Sequence, residues 1–139
     1  LDLFTDPVEK QKKQEKLEKE NCPENYELIL DSHETMASYA KEDTVSCITF
    51  NLGYLPGGDH EKATKGDSSI RAIETGLRLL KKKGLMTVCI YSGGDSGFDE
   101  KEAVLSYIKS LDAKKDLVIV SEYANRPNNP PIPVWIIKM

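Results

Sequence analysis

The sequence predicts an α/β fold, a single domain over residues 1–139 with an open, mostly parallel sheet and helices on both of its faces. Three observations predict it. Short apolar runs alternate with segments whose apolar residues recur at helical spacing. Two glycine-rich stretches, at Leu52–Gly66 and Ser92–Phe98, follow apolar runs directly, where loops at strand ends belong. The last two apolar runs are separated only by a proline-rich stretch, so one of the final strands runs antiparallel.

Taken in order, Leu1–Thr5 reads as the end of a strand. Asp6-Pro7 is a helix start, with Asp as the cap and Pro in the first turn. Val8–Glu20 has only Val8 and Leu17 as apolar residues, so its helix is mostly solvated and weakly docked. Tyr26–Leu30 reads as a strand, Ser32–Ala40 as a short helix, and Val45–Phe50 as a strand that stops at Asn51. Asp67 or Ser68 caps a helix carrying Ile70, Ile73, Leu77 and Leu80 on one face, with Lys81–Lys83 in its last turn and Gly84 ending it. Leu85–Tyr91 is apolar almost throughout, as in a strand buried on both faces. Asp99 or Glu100 opens a helix with Val104, Tyr107, Ile108 and Leu111 on one side. Leu117–Glu122 and Val134–Ile137 are the closing strands, and Trp135 is expected in the core.

Composition narrows the function classes. Of the 139 residues 30% are charged, and the formal net charge is −4, so no global basic field attracts a polyanion. A nucleic acid would have to meet a local patch, for which Lys62, Lys65 and Lys81–Lys83 are candidates as well as ordinary solvated lysines. Cys22, Cys47 and Cys89 are widely spaced and form no metal-binding pattern. Cys47 and Cys89 lie in apolar runs, where cysteine acts as a small hydrophobe. A reducing cytoplasm is the expected compartment, and no membrane segment or metal site is expected.

The chemistry concentrates after Phe50, in the string FNLGYLPGGDH. Asn51 and Tyr54 stand three apart at a strand end. An amide oxygen there can accept a hydrogen bond from a target nitrogen, while an aromatic face packs on a flat base or a cation. The same four residues also describe a turn with a capping Asn and a packed Tyr. Asp59 and His60 read equally as substrate contacts or as loop polarity, and Tyr91 as core or site.

The full string resembles the Putative rRNA methylase family, which includes tRNA 5-(aminomethyl)-2-thiouridine methyltransferases. DSHE (Asp31–Glu34), SSIRAIETGLRLLKKKG (Ser68–Gly84), YSGGDSGFDEKEAVLSYIKSLD (Tyr91–Asp112) and NRPNNPPIPVWIIKM (Asn125–Met139) follow the same family in order. The resemblance spans Tyr26–Met139. It implies a Rossmann-like class I methyltransferase sheet with a C-terminal antiparallel strand. It further implies methyl transfer from S-adenosyl-L-methionine to the aminomethyl nitrogen of a modified wobble uridine, with the anticodon region of tRNA as partner and a homodimer as assembly. Carried over by position, Ser32 and His33 contact the cofactor, and Asn51 and Tyr54 lie between cofactor and substrate. Gly57, Gly58, Asp59, His60 and Tyr91 are the substrate candidates. The acidic residue that binds the cofactor ribose falls on Asp6 by spacing, with Asp2 as the alternative.

Two departures stand out. Many members have a Gly-His pair in the later loop; that His position is Gly94 here, and no role for it carries over. The family opens with a strand and a Gly/Asn-rich loop that cradles the methionine part of the cofactor, and nothing in Leu1–Lys19 matches them. The expectation is an N-terminally truncated domain lacking the first strand. It should have four strands in one block and Tyr26–Leu30 beside a gap. The alternative function is a non-catalytic fragment or RNA-binding remnant of such an enzyme.

Overall fold

The computed structural model describes residues 1–52, 66–91 and 94–139. Ten elements follow in order: β1 (Asp2–Phe4), α1 (Pro7–Lys19), β2 (Leu28–Leu30), a 3-10 helix (His33–Ser38), β3 (Val45–Leu52), α2 (Gly66–Leu79), β4 (Leu80–Ile90), α3 (Gly94–Lys109), β5 (Asp116–Val120) and β6 (Ile132–Lys138). They form two sheets. β1 and β2 pair in parallel as a two-stranded ribbon, and the other four strands make a sheet in the order β3-β4-β6-β5. β3 and β4 are parallel, while β6 is antiparallel to both β4 and β5. The expected antiparallel closing strand is therefore β6. β2 does not pair with β3, and β1 lies in the ribbon beside β2.

The core sits on one face of the four-stranded sheet. Phe50, Leu52, Met86, Val88, Ile90, Val134 and Ile136 alternate inward along β3, β4 and β6 and meet Ala72, Ile73 and Leu77 of α2 and Val104, Leu105 and Ile108 of α3. Gly76 lets α2 approach closely, since an added Cβ would stand 2.7 Å from the Met86 methyl.

The opposite face corrects the expectation of helices on both sides. α2, α3 and the 3-10 helix pack on the core side, and α1 packs on β1 and β2. Among the described residues no helix covers the second face. Trp135, expected in the core, is 37% exposed there, beside Leu117 and Ile119. Leu85, Thr87 and Cys89 are half-buried for the same reason, so β4 is fully buried on one face only. Cys47 is exposed rather than packed.

Local signals explain most boundaries. Asp6 caps α1, its Oδ1 accepting from the Val8 amide at 2.8 Å, and Pro7 opens the first turn. The helix buries no residue and is supported along its surface by Gln14–Glu18 and Gln11–Glu15 contacts. α2 ends at Leu79, five residues before the expected stop at Gly84, and Leu80 opens β4. The turn before β3 stops it, since the Asp43 and Thr44 amides donate to Arg78 O and Leu79 O. The Lys138 ammonium completes this stop by donating to Leu77 O and Leu80 O at 2.9 and 2.8 Å. Lys81–Lys83 are thus not a helical turn. Leu80 pairs with Val45 and Leu85 with Cys47, so residues 81–84 bulge from the ladder, with Lys83 at φ 67°. α3 starts at Gly94, five residues before the expected Asp99, so part of the second glycine-rich stretch is helical.

Candidate functional site

A cleft of about 1090 Å³ lies between the ribbon and the free edge of β3. Its walls run along β1, from Leu1 to Asp6, and along β3, from Val45 to Leu52, with Asp31–His33 following β2; Ser68, at the start of α2, closes one side. Four of the residues singled out in the sequence, Asp6, Ser32, His33 and Asn51, line this one cleft. Tyr91 is not in its lining; its amide extends the ladder by donating to Leu52 O at 2.9 Å. Tyr54, Gly57, Gly58, Asp59 and His60 lie outside the described residues, as do Lys62 and Lys65.

The strand-to-turn passage after β2 is densely bonded. Ser32 caps the 3-10 helix through its Oγ, which accepts from the Glu34 amide at 3.3 Å, and its carbonyl accepts from Thr35 N and Oγ1. Arg71 of α2 holds Glu34 through two donors at 3.0 and 2.6 Å, tying the 3-10 helix to the four-stranded block. His33 lies edge-on to Phe50, with ring centroids 6.0 Å apart. Burial lowers its pKa, against a smaller upward pull from Glu34, so the ring is neutral at pH 7.

Asp31 is the residue that the sequence reading left without a role. Its carboxylate accepts from Tyr39 Oη at 2.7 Å and from the Ser32 amide at 2.8 Å. These bonds, with a further one from Thr35, lower its pKa and keep it ionised. The signal was legible, because Asp31 directly follows the apolar run Leu28–Leu30, at a strand's carboxyl end.

Electrostatically the cleft is acidic. Asp2, Asp6, Glu9 and Asp31 all line it, and no Lys or Arg does among the described residues. Such a lining suits hydroxyl groups and a compact cation, and it repels a phosphate chain. Asn51 brings a neutral amide to the rim. Its row across the sheet, Asn51–Cys89–Pro133, places it on the face opposite the core.

The comparisons with known proteins agree with this architecture. Residues 5–137 match the model of the family described as "Putative rRNA methylase". The chain belongs to this family. A putative rRNA methylase from Clostridium thermocellum is 39% identical, with a TM-score of 0.92 over 99% of this chain and 73% of that one. A putative methyltransferase from Streptococcus mutans, solved in complex with SAH, is 34% identical, with a TM-score of 0.88 over 99% of this chain and 74% of its own. A curated relative from Arabidopsis thaliana, the chloroplastic tRNA (mnm(5)s(2)U34)-methyltransferase, is 32% identical over 99 residues. That match takes in 70% of this chain but 36% of the relative, so this chain spans about a third of it. The four-stranded block with its antiparallel β6 is thus the sheet of a class I methyltransferase.

Proposed function

We propose that the cleft serves an S-adenosylmethionine-dependent N-methyltransferase acting on the aminomethyl group of a modified wobble uridine in tRNA. The observation that carries this reading is that Asp6, Ser32-His33 and Asn51, each at or just after a strand's carboxyl end, line one cleft. Membership in the family, the SAH bound to the Streptococcus relative and the activity named for the Arabidopsis relative support it.

The donor set fits the cofactor. Carboxylates at Asp6 and Asp31 suit ribose hydroxyls and a positively charged sulfonium, and the cleft volume is adequate for a ligand of that size. Ser32 and neutral His33 would complete its polar contacts. S-adenosylmethionine supplies an electrophilic methyl group. Asn51 then orients the amine: its amide oxygen accepts an N–H hydrogen bond and turns the nitrogen lone pair toward the cofactor side of the cleft. Tyr54 offers an aromatic face to the base, and Gly57, Gly58, Asp59, His60 and Tyr91 complete the substrate side. The partner in this reading is the anticodon region of tRNA, with two copies of the chain forming the active assembly in the cytoplasm.

Two measurements test it. Calorimetry with S-adenosylhomocysteine should show binding that Asp31→Ala weakens. Methyl transfer to tRNA carrying an aminomethyl wobble uridine should fall on the order of 10²-fold in Asn51→Ala, with little change in cofactor affinity. An Asn51→Ala protein of full activity ends the assignment. One observation favours a second reading, a non-catalytic RNA-binding remnant: the cleft is bounded by strand edges unpaired across it. Absence of any S-adenosylhomocysteine binding by the folded chain would select that reading.

A further inference from the structure

The segment between β5 and β6 has no visible duty in the fold. Every residue from Glu122 to Asn129 is exposed, Tyr123 at 49%. Among the described residues, Tyr123 and Arg126 make no side-chain hydrogen bond or ion pair. The backbone here nevertheless has a defined shape. Asn128 and Asn129 both adopt left-handed conformations, at φ 66° and 50°, and three prolines in Arg126–Pro131 stiffen the path. A stiffened, exposed loop whose Tyr123 and Arg126 side chains bond nothing among the described residues is open to a partner outside the chain.

Its position says where. The sheet register places Leu52, Ile90 and Ile132 in one row, and Ser121 bonds to Pro133, which shares the row of Asn51. The loop therefore rises from the same end of the sheet as Asn51, its return arm two strands away, or about 10 Å.

We propose that this loop is a contact surface for single-stranded RNA, gripping nucleotides beside the one presented to Asn51; this rests on the tRNA reading above. Tyr123 is the stacking platform for an unpaired base. Arg126 supplies a phosphate contact or a second stacking plane. Asn128 and Asn129 offer amide groups to base edges. The loop has no Leu, Ile, Val, Met or Phe between Glu122 and Pro131, so it lacks the aliphatic anchors of a protein-docking patch. It also explains how a chain of net charge −4 meets RNA: by stacking on a local surface rather than through a basic field.

The test is fluorescence anisotropy with a labelled anticodon stem-loop RNA and a fully duplexed RNA of equal length. The parent chain should prefer the stem-loop. Tyr123→Ala and Arg126→Ala should each weaken that binding about tenfold, and Tyr123→Phe should restore it because the ring is kept. Arg126→Ala should also reduce the slope of log K against log salt by about 0.7. Lys115→Ala, a charge change at the opposite end of β5, should leave binding unchanged. Stem-loop binding by the parent that neither Tyr123→Ala nor Arg126→Ala alters overturns the loop's role and leaves the tRNA reading standing. A folded parent that binds neither RNA overturns both.

Discussion

The four-stranded block and the β1–β2 ribbon contain the same kinds of element, held by different forces. In the block, α2 and α3 bring six core residues with relative exposure below 10% against three strands, and even its buried polar pair is satisfied: Ser69 Oγ donates to Glu100 Oε1 at 2.9 Å. The ribbon has Ile29 as its buried hydrophobe, and its helix buries nothing. Local bonds hold it: a cap, surface pairs and a two-strand ladder. The block is therefore stabilised by exclusion of water, the ribbon by short-range geometry, and the cleft lies between the two regimes.

The sharpest way to test this contrast is to cut each side. Ile136→Ala, at a fully buried position of β6, should cost about 2–5 kcal/mol in urea unfolding. Val8→Ala in α1, where the side chain is mostly exposed, should sit within about 0.5 kcal/mol of the parent. Equal losses at the two sites would refute the two-regime picture.

Lys138 comes next. Its ammonium bonds two carbonyls at the end of α2 as well as Asp43 Oδ1 at 2.7 Å, and it is largely shielded from solvent. Lys138→Met should cost about 1–3 kcal/mol. Asp43→Asn, which removes the exposed charge of the ion pair and still suits the left-handed backbone at φ 57°, should cost less than about 1 kcal/mol. A larger loss for Asp43 would mean that the ion pair, and not the helix end, is what Lys138 serves.

A smaller effect should follow pH. Desolvation raises the Glu100 pKa, and the bond from Ser69 offsets this only in part. A carboxyl raised on folding binds its proton more tightly in the native state. Its contribution is complete below the unfolded pKa and is lost as pH rises through the folded one. Glu100→Gln should therefore be more stable than the parent at pH 7, and the gain should vanish below about pH 4. A gain that persists in acid would point to packing instead of charge. The least effect on global unfolding belongs to Asp6→Ala. It removes a cap worth about 1 kcal/mol to α1 alone, and faster amide exchange confined to Val8–Lys10 would report it.

The block was the more legible region because its signals are periodic. Ile73 and Leu77 on α2 and the apolar Leu85–Ile90 run identified their elements without context. Misreadings came where tertiary contacts overrule local preference. Gly84 looks like a helix stop, but the amides of Asp43 and Thr44, each 35 residues before the carbonyl it bonds at Arg78 or Leu79, end α2 earlier. Trp135 reads as core from its strand, yet among the described residues no helix lies above its face. At the site, Asn51 stood out by its place at a strand end, while Ser32 and His33 followed from the family resemblance. Asp31 was passed over because its partners, Tyr39 and Thr35, meet it only after the chain turns.

The strand order has a consequence for how the chain is made. β6 comes after β5 in sequence yet lies between β4 and β5. During synthesis from the amino end, β5 therefore leaves the ribosome before β6, the strand it pairs with, has been made. β4 likewise waits with one ladder edge bare. Until β6 arrives, Leu117–Val120 is an unpaired apolar strand beside a half-built sheet, the kind of surface that chaperones retain. The final insertion must satisfy two ladders at once, one of them to β4 across more than forty residues of intervening chain, so closure of the sheet should set the pace of folding.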